Sequence, residues 1–75
     1  MVVGYTNNTI NSYTVQGNES VTVESSNTSV ATVQYDTNDG SIDVTAVGSG
    51  LATITVKVFL NGNVVKKGTF NVGVS

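Results

Sequence analysis

The sequence predicts an all-β domain, a small β-sandwich of about six to seven antiparallel strands. Three observations carry that expectation. Apolar residues make up 39% of the 75-residue chain and are dominated by Val, whose β-branched side chain has a restricted χ1 that favours strands over helices. Thr, Ser and Asn with scattered Gly fill most other positions, the mixture expected of two-faced antiparallel sheets. Apolar residues also recur at alternate positions in short runs separated by turn residues, and no segment carries the period of an amphipathic helix.

The chain reads as one domain over residues 1–75, and at this size only about 60 to 65% of the unfolded surface is buried, so the core is thin. Residues 1–19 carry the weakest pattern: Thr6-Asn7-Asn8-Thr9 reads as loop and Ser12-Tyr13-Thr14-Val15-Gln16 as a strand. From Ser20 to Ser25, Val21 and Val23 share the inward face, with Thr22 and Glu24 opposite. After the turn-rich Ser25-Ser26-Asn27-Thr28, residues Ala31, Val33 and Tyr35 share one face. Asp36-Thr37-Asn38-Asp39-Gly40 reads as a hairpin turn, because Asn, Asp and Gly tolerate positive φ. Ile42, Val44 and Ala46 follow on one face, and Gly48-Ser49-Gly50 breaks the chain again. Ala52, Ile54, Val56 and Val58 form the longest inward series, with Thr53, Thr55 and Lys57 pointing outward.

The last hairpin permits a register argument. A loop of Asn61-Gly62-Asn63 pairs Leu60 with Val64, Val58 with Lys66, Val56 with Gly68 and Ile54 with Phe70, which buries Phe70 and Val72 beside Ala52. A tighter Asn61-Gly62 turn shifts the parity and exposes Phe70 unless a bulge near Lys67-Gly68 restores it. The longer loop is the expectation. The predicted core is therefore Val21, Val23, Ala31, Val33, Ile42, Val44, Ala46, Ala52, Ile54, Val56, Val58, Phe70 and Val72.

Composition excludes several classes of function. With no Cys there is neither disulfide nor thiol nucleophile, and with no His the commonest general base near neutral pH and the usual soft metal ligands are missing. No cofactor, metal or catalytic residue is expected. A net charge of −2, with Lys57, Lys66 and Lys67 as the cations, does not neutralise a phosphate backbone, so nucleic acid is not an expected partner. The first residues, Met1-Val2-Val3-Gly4-Tyr5, lack the charged and apolar regions of a signal peptide, and no run of about 18 apolar residues is present to insert into a membrane.

Val21-Thr22-Val23-Glu24-Ser25-Ser26-Asn27-Thr28-Ser29-Val30-Ala31-Thr32-Val33, continued by Gly40-Ser41-Ile42-Asp43-Val44-Thr45-Ala46-Val47-Gly48-Ser49-Gly50-Leu51-Ala52-Thr53-Ile54-Thr55-Val56, resembles the bacterial immunoglobulin-like group 2 family. That family reads, in outline, W-S-S-x-x-x-x-V-A-x-V and then G-x-V-T-A-V-x-x-G-x-A-x-I-T. Val23 stands where the family has Trp, so Phe70 or a tyrosine is expected to fill the space. The resemblance implies an immunoglobulin-like sandwich used as a repeat unit of bacterial surface adhesins or as an appendage on phage capsid and tail proteins. Its implied partners are proteins (a capsid, a tail or neighbouring immunoglobulin-like repeats), or a host-surface ligand or glycan. It implies no catalytic residues.

Sharper readings compete with blander ones. Asp36, Asn38, Asp39 and Asp43 offer the oxygen ligands that Ca²⁺ prefers, but the spacing is not that of an EF-hand and the distal Glu is missing, so a solvated hairpin turn is expected. An intramolecular isopeptide bond needs a buried lysine beside a carboxylic acid, and alternation points Lys57 outward. A carbohydrate-binding module using Tyr5, Tyr13 or Tyr35 is a third, weaker reading, because sugar platforms want several coplanar aromatics, often Trp, and the chain has no Trp. The outer face of the last hairpin, with Phe59 opposite Val65 and Lys57 opposite Lys67, is a candidate contact face, and the blander reading, a long Lys stem covering an exposed Phe, outweighs it. If Met1 is the native start, a virion surface is the expected location, since particles released by lysis need no export signal. If it is not, the expectation is a module of a secreted adhesin on the bacterial cell surface.

Overall fold

The computed structural model describes residues 1–75, and all six of its elements are strands: β1 (Thr6–Ser12), β2 (Glu19–Ser25), β3 (Ala31–Tyr35), β4 (Ser41–Ala46), β5 (Gly50–Leu60) and β6 (Asn63–Val74). They pair antiparallel into two three-stranded sheets, in the orders β1-β4-β3 and β2-β5-β6. Alternation turns Ala31, Val44 and Ala46 from the first sheet towards Ala52, Ile54, Val72 and Val74 from the second, and these residues form one buried cluster. The Cα envelope measures 38 × 21 × 13 Å, its thinnest dimension fitting two sheets about 10 Å apart. No helix is present that is long and apolar enough to cross a membrane.

Within the predicted core, Ala31, Ile42, Val44, Ala46, Ala52, Ile54, Val58 and Val72 are buried. Val21, Val23, Val33, Val56 and Phe70 are only half-buried. For Val21, Val23, Val33 and Phe70 the reason is position, since β2, β3 and β6 are edge strands whose inward side chains are covered from one side. Val56, on central β5, is opposite Gly68, which has no side chain to cover it, and borders an open cleft. The core also takes in Val30 and Val74. Val30 belongs to the connection before β3, where its N–H donates to the Asn27 carbonyl at 3.1 Å. Val74 is capped by Met1, whose ammonium donates to the Gly73 carbonyl at 2.9 Å and whose carbonyl accepts the Ser75 N–H at 2.9 Å.

Two segments differ from expectation. Thr6 to Thr9 is strand, not loop, because β4 supplies backbone partners, with Thr6 opposite Thr45 and Asn7 opposite Val44. The ladder is interrupted between Asn7 and Asn11, where the Asn7 Oδ1 accepts both the Thr9 N–H and the Thr9 hydroxyl at 2.8 Å. Such local side-chain bonds compete with ladder bonds, which is why the stretch resembles loop in sequence. Conversely, the strand expected over Ser12 to Gln16 ends at Ser12. Tyr13 leads the crossing to the other sheet, its N–H held by the Gly40 carbonyl at 2.8 Å.

The last hairpin overturns the expected three-residue loop and its Leu60–Val64 pair, but keeps the expected register from Val58 onward. Leu60 pairs with Asn63 across a two-residue Asn61-Gly62 turn. Both residues have positive φ, 53° and 83°, the signature of a type I′ turn whose twist matches that of the strands. One extra residue, Val65, then restores parity: Phe59 pairs with Val64 and Val58 with Lys66. The bulge therefore lies at Val65, not near Lys67-Gly68. From Val58 onward the pairs are Lys57 with Lys67, Val56 with Gly68 and Ile54 with Phe70.

The chain ends and the connections 26–30 and 47–49 gather at one pole, whereas the connection 13–18, the turn 36–40 and the Asn61-Gly62 turn gather at the other.

Candidate functional site

The turn pole carries the most developed side-chain arrangement. Register places Lys66 opposite Val58, an inward position, where a free ammonium is costly to bury. Its long stem instead runs out of the open end of the sandwich. The ammonium lies 5.1 Å from the centroid of the Tyr13 ring and donates to the Tyr13 hydroxyl at 3.3 Å. At an exposed site such a cation–π contact contributes about 0.5–1 kcal/mol. The Tyr13 hydroxyl donates in turn to Glu19 Oε1 at 2.8 Å, and the Gln16 N–H donates to the same oxygen at 2.9 Å. Tyr35 fixes this connection from behind, its hydroxyl donating to the Tyr13 carbonyl.

These contacts shape the acidities. The Tyr13 hydroxyl, then the Gln16 N–H, hold the Glu19 carboxyl below its ordinary value. Burial pushes the Tyr35 phenol up. The Ser41 N–H, which donates at 2.9 Å, holds Asp39 down. Because the folded state lowers the Glu19 value, the stabilisation is complete above the ordinary glutamate pKa and is lost as pH falls through the lowered one. A chain carrying Glu19→Gln keeps an acceptor for Tyr13 but loses this titration. Its unfolding free energy, measured by urea titration from pH 7 down to pH 3, should fall less steeply than that of the unaltered chain.

Beside Tyr13 and Lys66 opens a cleft of about 220 Å³. Ile42, Val56 and Val58 line it, and Gly68 leaves its rim open on β6. The volume suits one or two side chains rather than a drug-sized ligand, which needs about 300 Å³ or more. A Cβ added at Gly68 would meet nothing within 4 Å, and the residue lies opposite half-buried Val56. Gly68→Val should therefore cover Val56, gain β propensity and raise stability by about 0.5–1 kcal/mol, read as a higher urea midpoint.

The candidate contact face on the last hairpin is only partly assembled. Lys57 and Lys67 face each other, and the Lys57 ammonium lies 3.8 Å from Glu24 Oε1, an exposed pair contributing about 0–1 kcal/mol. Phe59 is half-buried and faces Val64 instead of Val65. Val65 is the bulged residue, and it remains exposed together with Val64. The acidic residues of the 36–40 hairpin act as turn acceptors: Asp36 for the Asn38 N–H at 2.8 Å and Asp43 for the Ser41 hydroxyl at 2.7 Å. No three His, Cys, Asp or Glu side chains are close enough together to hold a metal. The three tyrosines do not form one platform, since Tyr13 and Tyr35 spend their hydroxyls internally and Tyr5 lies towards the other pole.

Sequence reasoning followed the outer face of β5 and β6 and so passed over Lys66. A lysine at an inward parity is the signal that finds this site. Comparison of the chain with protein-family models, with curated proteins and with solved structures gave no match.

Proposed function

We propose that the chain is a non-catalytic, immunoglobulin-like structural or binding module displayed on a surface, as a decorating or tail domain of a phage particle. The observation that carries this reading is polar geometry. Met1 and Ser75 lie side by side, so attachment through the ends leaves the opposite pole, with Tyr13, Glu19, Lys66 and the cleft, free to meet a partner. The strand orders support the immunoglobulin-like part: β1-β4-β3 and β2-β5-β6 follow the B-E-D and C-F-G orders of a constant-type sandwich from which strand A is left out. The motif resemblance over Val21 to Val56 points the same way. Non-catalytic character rests on a composition without His or Cys and on Tyr13 and Glu19 being engaged with each other.

A repeat or spacer module of a bacterial surface adhesin is the second reading, favoured by the use of the resembled family in such repeats. Immunogold labelling separates the two. Antibodies against the purified chain should decorate the exterior of intact phage particles released from the cells that make it. Label on the cell envelope would favour the adhesin module, and label confined to the cytosol would contradict display. On a glycan array the chain should show no saturable binding; a saturable sugar would replace protein partners with carbohydrate.

A further inference from the structure

β6 is the longest edge strand, twelve residues against seven in β1 and β2 and five in β3. Edges of this length are usually blunted by charges, bulges or a covering segment. Here the bulge at Val65 and the charge of Lys67 protect only the part near the turn. Beyond them, Met1 shows how the edge is used. Its bonds to the Gly73 carbonyl and the Ser75 N–H, both 2.9 Å, set it opposite Val74 in parallel register. Gly73 therefore points its backbone groups outward, and by alternation so do Asn71, Thr69 and Lys67. Val72, Phe70, Gly68 and Lys66 turn theirs towards β5.

A strand continuing from Met1 in that register would set its inward residues opposite Val72, Phe70, Gly68 and Lys66 in turn. Those positions have room for it. Phe70 and Val56 are half-buried, and no atom stands within 4 Å of a Cβ at Gly68. The cleft of about 220 Å³ lies beneath. Charge selects the occupant further: Lys57 has Glu24 within 4 Å, whereas Lys66 and Lys67 have no carboxylate that close.

We propose that the β6 edge from Lys67 to Gly73 is a docking site for an extended peptide segment of a partner protein, added parallel to β6. The segment is apolar at alternate positions, sets one apolar side chain into the cleft over Gly68, and carries a carboxylate beside Lys66 and Lys67. Main-chain bonds supply the affinity and the cleft supplies the selectivity, as in other strand additions.

The test fuses the segment Glu-Thr-Val-Thr-Val-Thr-Val-Thr directly before Met1 of the full chain, which removes the cost of bringing two molecules together. Its valines then fall opposite Val72, Phe70 and Gly68, and its glutamate opposite Lys66. Amide hydrogen exchange at Lys67, Thr69 and Asn71 should slow at least tenfold relative to the unfused chain, with the particle still monomeric. The same fusion with Pro replacing the valines opposite Val72 and Phe70 should show no such slowing, because Pro cannot donate. Replacing the glutamate of the valine fusion with lysine should remove part of the slowing, because it sets a like charge opposite Lys66. The proposal is overturned if the folded fusion exchanges these three amides as fast as the unfused chain, or if the proline version protects them equally. It is also overturned if the unfused chain protects them by dimerising, which would assign the edge to a second copy.

Discussion

Replacing Ile54 with alanine should lower the unfolding free energy by about 3–4 kcal/mol. Ile54 is fully buried at 0% exposure on the central strand of its sheet. It pairs with Ser25 on one side and Phe70 on the other, and it belongs to the cluster that includes Val44 of the opposite sheet. Truncation removes three methyl or methylene groups from a core too thin to collapse around the cavity. A domain of this length is stable by about 4–11 kcal/mol, so the change removes a large part of the total. Val23→Ala, on an edge strand and half-buried, should cost about 1 kcal/mol. Urea unfolding followed by far-ultraviolet circular dichroism distinguishes the two. A loss below about 1 kcal/mol at Ile54 would mean that the two sheets do not meet there.

Gly40→Ala should cost about 3 kcal/mol by a different route. The residue has φ +75°, and its added Cβ would come 2.7 Å from the Tyr13 carbonyl oxygen. The left-handed backbone accounts for about 1–2 kcal/mol, and the rest comes from displacing a carbonyl that also accepts the Tyr35 hydroxyl. Gly40 further accepts the Tyr13 N–H and donates to the Asp36 carbonyl, each at 2.8 Å. The substitution therefore frees the connection 13–18 as well as the hairpin. Gly17→Ala is the control, with φ +58° but no neighbour within 4 Å, and should cost only about 1 kcal/mol. Chemical-shift changes at Tyr13, Glu19 and Lys66 should accompany the Gly40 substitution and be absent at Lys66 for Gly17.

The alternation that marks Ile42 to Ala46 and Ala52 to Val58 is readable because both strands are central and one face of each is buried. The edge strands are less so. Asn7 and Thr9 satisfy each other locally, which hides β1. Val30 lies outside any strand, and Val74 stands at the chain's end, where Met1, far away in sequence, returns to pack against the cluster that holds it. In the last hairpin the requirement that Phe70 face inward is readable, and so is the register from Val58 onward. How the chain meets that requirement is less plain. Asn61-Gly62 is the strong two-residue turn signal, and the consecutive Val64-Val65 marks the bulge that goes with it. The Tyr13 and Lys66 pairing joins residues whose relation depends on the crossing between sheets, and periodicity along one strand does not report such crossings.

A single two-dimensional nuclear Overhauser spectrum tests most directly the claim that the module holds its ends at one pole and its side-chain cluster at the other. It should contain contacts between the side chains of Met1 and Val74, between the methyl groups of Val44 and Ile54 across the sheets, and between the Tyr13 ring and the Lys66 methylenes. Contacts from Met1 to the Asn61-Gly62 turn, or a Tyr13 ring without contact to Lys66, would contradict it.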